Sequence, residues 1–227
     1  QTLDSFIKNS EKYLFTIVDK IVMIKEAALS LYLLHYNGKS HRNITSSSFF
    51  VNEKKDIYIG GFSYSRSEDC KNTELSPQIY YRNFNTVNPT EIEEDIYSLG
   101  VLTYEIMTAS SPMNVFGKMS RDERINILKS NYIDKLYDNY NELLLKNNKN
   151  IEEELKEIFE NIITKCITNK KSDISVFKEI ISDLDKLTLY VNFKEEIEYR
   201  IMNAISSSNY KCTFAQLVHN FYQGNLC

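Results

Sequence analysis

Residues 41–63 read HRNITSSSFFVNEKKDIYIGGFS, and this stretch decides the fold class of the chain. It opens with a basic pair and a polar loop that is rich in hydroxyl side chains. Two short apolar runs follow at 49–51 and 57–59, with a polar turn between them and a glycine pair after the second run. Short apolar runs on either side of a polar turn are typical of a β-hairpin. The sequence therefore predicts a hairpin that has a polar loop at each end.

Helical periodicity dominates most of the remaining chain. Between residues 15 and 35, apolar side chains recur at steps of three and four, which places them on one face of a helix. The Asn37-Gly38 pair that follows is typical of a helix end. The same periodicity and capping patterns predict further helices at 2–7, 120–130, 151–168, 175–187, 193–206 and 214–222. The expected fold class is mainly α.

In this order, the features resemble the catalytic loop and the magnesium loop of a protein kinase. That family writes H-R-D-x-x-x-x-N, then a hairpin, then D-F-G. The corresponding positions here are His41-Arg42-Asn43, Ser48 and Gly61-Phe62-Ser63. Residues 95–107, DIYSLGVLTYEIM, are similar to the family's D-x-x-S-x-G helix, whose Asp side chain holds the backbone of the H-R-D loop. The residues that match the structural frame of the family are His41, Arg42, Phe62 and Asp95.

The resemblance implies the helical C-terminal lobe of a protein-kinase-like fold, with a small hairpin, over residues 1–187. Residues 188–227 lie beyond it and are expected to form a C-terminal helical extension. The sheet-rich N-lobe is expected to be absent from this chain, because nothing in the sequence supplies a glycine-rich loop or the phosphate-binding Lys. Residues 63–73 are polar and resemble an activation segment.

The polar catalytic positions of the family are all changed. Asn43 stands where the resemblance places the Asp that accepts the substrate proton, and Thr45 stands where a Lys usually neutralises the γ-phosphate. Ser48 replaces the Asn that holds a second magnesium, and Gly61 replaces the Asp of D-F-G. These departures predict a pseudokinase, which is a catalytically inactive protein kinase homologue that serves as a protein-binding scaffold or an allosteric regulator. We expect it to use no cofactor and to bind neither ATP nor magnesium.

Several residues near this loop have two interpretations. Arg42 could grip a phosphate on the activation segment, as in active kinases, or form a hydrogen bond within its own loop. We expect His41 to pack in the core and not to act as an acid or a base. Phe49 and Phe50 replace the smaller aliphatic residues that lie under adenine in this family, so they either fill the nucleotide site or pack in the core.

Three enzymatic alternatives have weaker support. The chain could belong to an atypical active Ser/Thr protein kinase that uses Asp56 or Glu53 for metal. The serines of the polar loop suggest a nucleophile, but no Asp-oriented His is expected beside them, since His35 and His219 lie elsewhere in the predicted fold. A C-terminal helical nuclease module is the third alternative, and His219 and Tyr222 are its only polar candidates.

Composition restricts the function further. The 227 residues are 42% hydrophobic and 26% charged, which is ordinary for a globular protein, and the net charge of −4 argues against a nucleic-acid partner. The four cysteines form no C-x-x-C pair, so we expect free thiols and a cytoplasmic protein. No apolar run approaches the roughly 20 residues that span a membrane. The expected partner is a protein, held by the activation-segment face, by an apparent insertion at 131–150, or by the extension.

Overall fold

The computed structural model describes residues 1–9, 15–67, 78–84, 86, 89–146, 153–168 and 173–207. The helices are α1 (Leu3–Lys8), α2 (Ile17–Tyr36), α3 (Glu91–Thr108), α4 (Arg121–Ser130), α5 (Tyr132–Lys146), α6 (Glu153–Thr168) and α7 (Ser175–Ser207). The strands are β1 (Lys39–Ser40), β2 (Phe49–Val51), β3 (Ile57–Ile59) and β4 (Arg66–Ser67). Short 3₁₀ turns lie at Ser46–Ser48, Phe62–Tyr64, Ile79–Tyr81 and Pro112–Phe116. The predicted fold class, mainly α with a small hairpin, is confirmed.

The centre of the fold is helix α3. Every residue of this helix from Asp95 to Met107 is buried, and the helix packs against α2, α5 and α6. A helix that is buried on all sides must be apolar around its whole circumference, and the sequence of α3 meets this demand over most of its length. The contact with α6 is the tightest. A Cβ atom added at Gly100 would lie 2.6 Å from Cβ of Cys166, so the two backbones can approach only because Gly100 has no side chain.

The hairpin follows the predicted strands. Strand β2 pairs with β3 in antiparallel register, with Phe49 opposite Ile59 and Val51 opposite Ile57. Side chains alternate between the two faces of a strand, so Phe49 and Val51 are buried while Phe50, between them, is exposed. The buried face packs on α2, whose Glu26 carboxylate accepts the backbone N–H of Ile57 at 2.9 Å.

A second strand pair was not predicted. Strands β1 and β4 pair in antiparallel register, with Lys39 opposite Ser67 and Ser40 opposite Arg66. Each strand has only two residues, so no run of alternating residues marks them in the sequence. The pairing joins the chain that enters the 41–63 stretch to the chain that leaves it.

Side-chain caps explain where the helices begin. The predicted capping box at the start of α4 is present, with the Ser120 hydroxyl and the Glu123 carboxylate each accepting the other residue's backbone N–H. Thr16 and Thr90 form equivalent boxes at α2 and α3. A cap of this kind typically contributes about 1 kcal/mol to helix stability. The cap predicted at Thr213, together with the 214–222 helix, lies outside the described residues.

The last described helix is longer than predicted. The sequence indicates separate helices at 175–187 and 193–206, whereas the structure has a single helix, Ser175–Ser207. Residues 188–192, TLYVN, contain neither Gly nor Pro, so nothing stops the helix between the two segments. The chain divides into two compact units, Gln1–Asp185 and Lys186–Cys227. Within the described residues, no helix is long and apolar enough to cross a bilayer.

The 131–150 segment contributes to the core of the first unit. Helix α5 packs against α3, α4 and α6. Its spaced apolar residues Tyr132, Leu136 and Tyr140 are fully buried or nearly so. This part of the apparent insertion is therefore a packed helix that runs as far as Lys146, and residues 147–150 lie outside the described part.

We predict that Gly100→Ala destabilises the first unit by about 1–3 kcal/mol, which is typical of overpacking in a core. The added methyl group would meet Cys166 at 2.6 Å and Ile167 at 3.1 Å. Urea unfolding would measure the loss. The double variant G100A/C166G should recover part of it, because it removes the atom that clashes, while Lys129→Ala on the exposed surface of α4 should be neutral. A fully stable G100A protein would contradict the packing described for α3 and α6.

Candidate functional site

The 41–63 stretch is anchored by one carboxylate. Asp95, on α3, is completely buried. Its Oδ2 atom accepts the backbone N–H of His41 at 2.7 Å, and its Oδ1 atom accepts the backbone N–H of Arg42 at 2.8 Å. Hydrogen bonds to an ionised acceptor are roughly twice as strong as neutral ones. Asp95 therefore attaches the start of the polar loop directly to the central helix.

His35 is a third partner of the same carboxylate. Its Nε2 atom lies 2.9 Å from Asp95 Oδ2, its side chain is only 4% exposed, and its ring stacks on Phe177 of α7. The expectation that His35 lies away from this loop, without an Asp partner, is wrong. The sequence does contain a signal, because His35 falls four residues after Leu31 and so continues the buried face of α2.

The serine-nucleophile alternative gains nothing from this pair. The Asp95–His35 pair supports the backbone of the loop. The hydroxyl of Ser48 does not bond to His35 but donates to the Asn43 carbonyl at 2.5 Å. His219 lies outside the described residues. The histidine and carboxylate are therefore present without the hydrogen bond to a serine that a nucleophilic site would need.

His41 joins the two ends of the hairpin. It is fully buried, and its Nε2 atom lies 2.7 Å from the carbonyl oxygen of Gly60, while its Nδ1 atom accepts the backbone N–H of Asn43 at 3.3 Å. A carbonyl can only accept and a backbone amide can only donate, so these partners assign a neutral ring with the proton on Nε2. Burial lowers the pKa of His41, which favours the same neutral form. The ring also packs against Phe62, with centroids 5.1 Å apart.

Arg42 has an unusual backbone conformation. Its φ angle is +65°, in the left-handed region that a residue with a Cβ atom adopts at a cost of roughly 1–2 kcal/mol. The hydrogen bond from its N–H to Asp95 offsets this cost. The guanidinium reaches the Tyr64 carbonyl at 3.4 Å, so Arg42 contacts the chain that follows the hairpin.

The positions that the resemblance identifies as catalytic form local hydrogen bonds. Ser48 is buried, and its Oγ atom accepts the backbone N–H of Thr45 at 3.2 Å besides donating to Asn43. The Thr45 hydroxyl in turn accepts the backbone N–H of Ser47 at 3.2 Å. These contacts form a closed network that holds the 3₁₀ turn at Ser46–Ser48. The side chain of Ser48 therefore belongs to the interior of the loop.

The second loop begins at a glycine pair. Gly61 has a φ of +74°, which a residue with a side chain rarely adopts. At Gly60, an added Cβ would lie 2.7 Å from the Phe50 ring, so that ring packs directly on the backbone of the loop. Phe49 is fully buried and packs in the core, whereas Phe50 and Phe62 are each about half exposed, at 48% and 49%.

A recess of about 460 Å³ lies beside the two loops. Its walls come from the polar loop, from β4, from residues 78–84 with Thr86 and Pro89, and from the start of α3. The charged residues that line it are Arg42, Arg66, Arg82, Glu91 and Glu94. Glu91 accepts from Arg66 at 2.9 Å and from the Ser40 hydroxyl at 2.6 Å. Both acidic and basic side chains thus line the recess.

The 78–84 segment on the far wall is held by both its backbone and its side chains. The Ser98 hydroxyl of α3 donates to the Tyr81 carbonyl at 2.7 Å, and Tyr132 of α5 donates to the Tyr80 carbonyl at 3.1 Å. The Tyr81 hydroxyl donates to Glu105 on α3. No sequence pattern marks Glu105, because the partner of an acidic residue within an apolar helix cannot be read from spacing alone.

Two carboxyl groups of α3 face this segment. Glu94 accepts the backbone N–H of Asn83 at 3.2 Å. Burial raises the pKa of Glu94, while this amide and the nearby Arg82 act in the opposite direction. Burial raises the pKa of Glu105 to about 7, although its hydroxyl partners favour the charged form.

The residues proposed as substitute metal ligands lie in the hairpin turn. Asp56 accepts the side-chain amide of Asn52 at 2.9 Å, and the Asn52 carbonyl oxygen accepts the backbone N–H of Asp56 at 3.0 Å. Glu53 is exposed in the same turn. Among the described residues, no three His, Cys, Asp or Glu side chains lie close enough together to hold a metal ion.

Comparison with known proteins identifies the family. The model of the family described as protein tyrosine and serine/threonine kinase matches residues 1–184. The chain belongs to this kinase family. The match includes both strand pairs, the Asp95 anchor and the recess. The kinase-like fold inferred from residues 41–63 and 95–107 is therefore confirmed.

Individual relatives cover this region in different ways. The chain is 33% identical over 102 residues to the mouse mixed lineage kinase domain-like protein. This alignment covers 40% of this chain and 22% of the relative. It is 23% identical over 190 residues to the serine/threonine-protein kinase A-Raf of mouse and of rat. These alignments cover 76% of this chain and 28% of each relative. The chain thus matches only about a quarter of the length of these relatives.

We predict that Asp95→Asn destabilises the first unit by about 2–4 kcal/mol, since three donors lose an ionised acceptor in a buried site. The amide keeps one acceptor oxygen, but its NH2 group must face either the N–H of Arg42 or the N–H of His41 and the Nε2 atom of His35. Chemical denaturation would measure the change. Asp138→Asn, at an exposed position of α5, is the matched control and should leave the unfolding midpoint unchanged. If both variants unfolded at the same midpoint, Asp95 would not be the anchor of the loop.

Proposed function

We propose that this chain is a catalytically inactive kinase homologue, a pseudokinase, that acts as a protein-binding scaffold or an allosteric regulator. The observation that carries the proposal is the orientation of Ser48. Its hydroxyl is buried and bonded to Asn43 and Thr45 within its own loop, where the family has an Asn that holds magnesium. A side chain engaged in this way is not presented to a metal ion.

The neighbouring positions support the same proposal. Gly61, at the position of the principal metal ligand, has no side chain at all. Asn43 replaces the Asp that accepts the substrate proton, and an amide cannot act as a base. Phosphoryl transfer depends on metal ions and positioned charges to neutralise the phosphate oxygens. Loss of the general base alone typically reduces the rate by roughly 10²- to 10⁴-fold.

The structural frame around these positions is intact. Asp95 holds the loop, and His41 joins it to Gly60, although neither contact requires a catalytic group. A chain that needs its loop geometry but not its chemistry would keep such contacts. This supports a role in which the shape of the kinase lobe is used for binding.

Of the candidate binding surfaces, the recess is the best supported. It is concave, and the side chains of Arg42, Arg66 and Arg82 line it. Arginine is enriched at protein interfaces, and concave sites are the usual places for ligand or peptide contacts. A protein partner agrees with the net charge of −4, which disfavours nucleic acid. The A-Raf relatives are named as kinases, so an atypical active kinase is the outcome against which this proposal is tested.

The division at residue 187 is part of the proposal. The family model ends at residue 184, and the compact units meet between Asp185 and Lys186. These boundaries support a kinase lobe at 1–187 with an appended extension at 188–227.

We predict that the protein, isolated from its own cells, shows no thermal stabilisation by magnesium and ATP and transfers no labelled γ-phosphate. The physical reason is that positions 43, 48 and 61 offer no base and no metal ligand. A known active kinase assayed in parallel is the positive control. Phosphate incorporation that disappears in Asn43→Ala or Ser48→Ala would instead establish an atypical active kinase.

We also predict that native mass spectrometry finds the chain bound to a second protein, and that Arg82→Ala weakens this complex by about tenfold or more. A tenfold loss corresponds to about 1.4 kcal/mol, which is typical of one important interface arginine. Lys129→Ala, on the exposed surface of α4, is the matched control. A chain recovered alone would count against a stable scaffold, and an unaffected complex with R82A would exclude the recess as its binding surface.

A further inference from the structure

Glu105 is a buried carboxyl group that the proposed function leaves unused. It lies on α3, is 3% exposed, and faces the junction of two loops. The Tyr81 hydroxyl in the 78–84 segment donates to it, and the hydroxyl of Ser46 in the polar loop lies near enough to favour its charged form. Glu105 therefore connects the far wall of the recess with the loop that holds the degenerate catalytic positions.

The surroundings of Glu105 provide hydroxyl groups but no close cation. From α1, the charged groups that face it are Asp4 and Lys8, which pair with each other at 2.9 Å. The side chain of Lys8 is 65% exposed. Tyr104 of α3 and Tyr132 of α5 are the other titratable neighbours. Among the described residues, no Lys, Arg or His forms an ion pair with Glu105.

A buried carboxylate without a paired cation is unfavourable, and proton uptake removes the charge. Burial raises the pKa of Glu105 from 4.5 to about 7, while its two hydroxyl partners limit the rise. The neighbouring tyrosines ionise only above the neutral range, because burial raises the pKa of Tyr104 to about 12 and that of Tyr132 well above its usual value. Of the groups around this junction, Glu105 is the one that changes charge near neutral pH.

We propose that Glu105 is a proton-controlled latch, which keeps residues 78–84 closed against the Ser46–Ser48 turn when protonated and loosens them when ionised. The neutral acid still accepts the Tyr81 hydroxyl and carries no charge that burial makes unfavourable. An ionised group keeps the acceptor role but retains a buried charge that local opening would expose to water. The consequence for partner binding rests on the proposed function, because residues 78–84 form one wall of the recess.

The sign of the effect follows from linkage. The pKa of Glu105 is raised in the closed state, so its contribution to closing is complete below about pH 4.5 and is lost as the pH rises through about 7. If opening returns the group to its ordinary pKa of 4.5, the opening equilibrium increases about tenfold between pH 6 and pH 8.

Hydrogen–deuterium exchange of the full chain, followed by mass spectrometry of peptides that cover residues 78–84, tests the latch directly. Protection factors at pH 6, 7 and 8, corrected for the intrinsic pH dependence of exchange, should fall about tenfold in the wild type. In Glu105→Gln, which is neutral at every pH, the corrected protection should stay constant. Asp138→Asn, at an exposed position of α5, is the control and should behave as the wild type does.

A second variant keeps the test decisive if E105Q does not fold. Ser46→Ala removes a donor that favours the charged form, so the midpoint of the pH dependence should move to higher pH. Constant protection in the wild type, or a fall that persists in E105Q or disappears in D138N, would overturn the proposal. The measurement needs neither partner nor nucleotide, so its outcome is independent of whether the chain is an inactive kinase.

Discussion

The carboxylate of Asp95 is the contact on which the rest of the loop architecture depends. Asp95 accepts the backbone N–H groups of His41 and Arg42 and lies against His35. The loop must enter at a sharp angle, with Arg42 in a left-handed conformation that has an intrinsic energetic cost. Because α3 is buried along its length, an acceptor on this helix has a fixed position. The start of the loop is therefore held in a fixed position relative to the core.

This arrangement explains how a kinase frame can persist when its polar catalytic positions change. The contacts that hold the loops use backbone groups and the side chains of His41 and Asp95. Ser48, at the position where the resemblance places a metal ligand, forms its hydrogen bonds inside the loop, so its buried hydroxyl is not left without a partner. Gly61 adopts a left-handed backbone without steric cost. The contacts that hold the fold therefore involve atoms other than the side chains at the positions that the resemblance identifies as catalytic.

Local patterns predicted the elements whose stability is local. Helix α2, the hairpin and the cap at Ser120 follow from periodicity and capping chemistry, which act over a few residues. The partnership of His35 with Asp95, the pairing of β1 with β4 and the role of Glu105 were missed. Each of these joins residues that are more than 20 positions apart in the chain, and two-residue strands and single polar residues leave no periodic signal.

The sequence by itself determined the family, the helical class and the chemical types at the catalytic positions, because motifs such as HRN and DIYSLG are read directly from residue order. Only the tertiary structure decided which hydrogen-bond partners the side chains of those motifs have. It turned Ser48 into the loop, placed His35 on Asp95, and brought Glu105 to the junction of Tyr81 and Ser46. The physical reason is that hydrogen bonding and burial depend on distances between remote residues, and those distances are set by packing around α3.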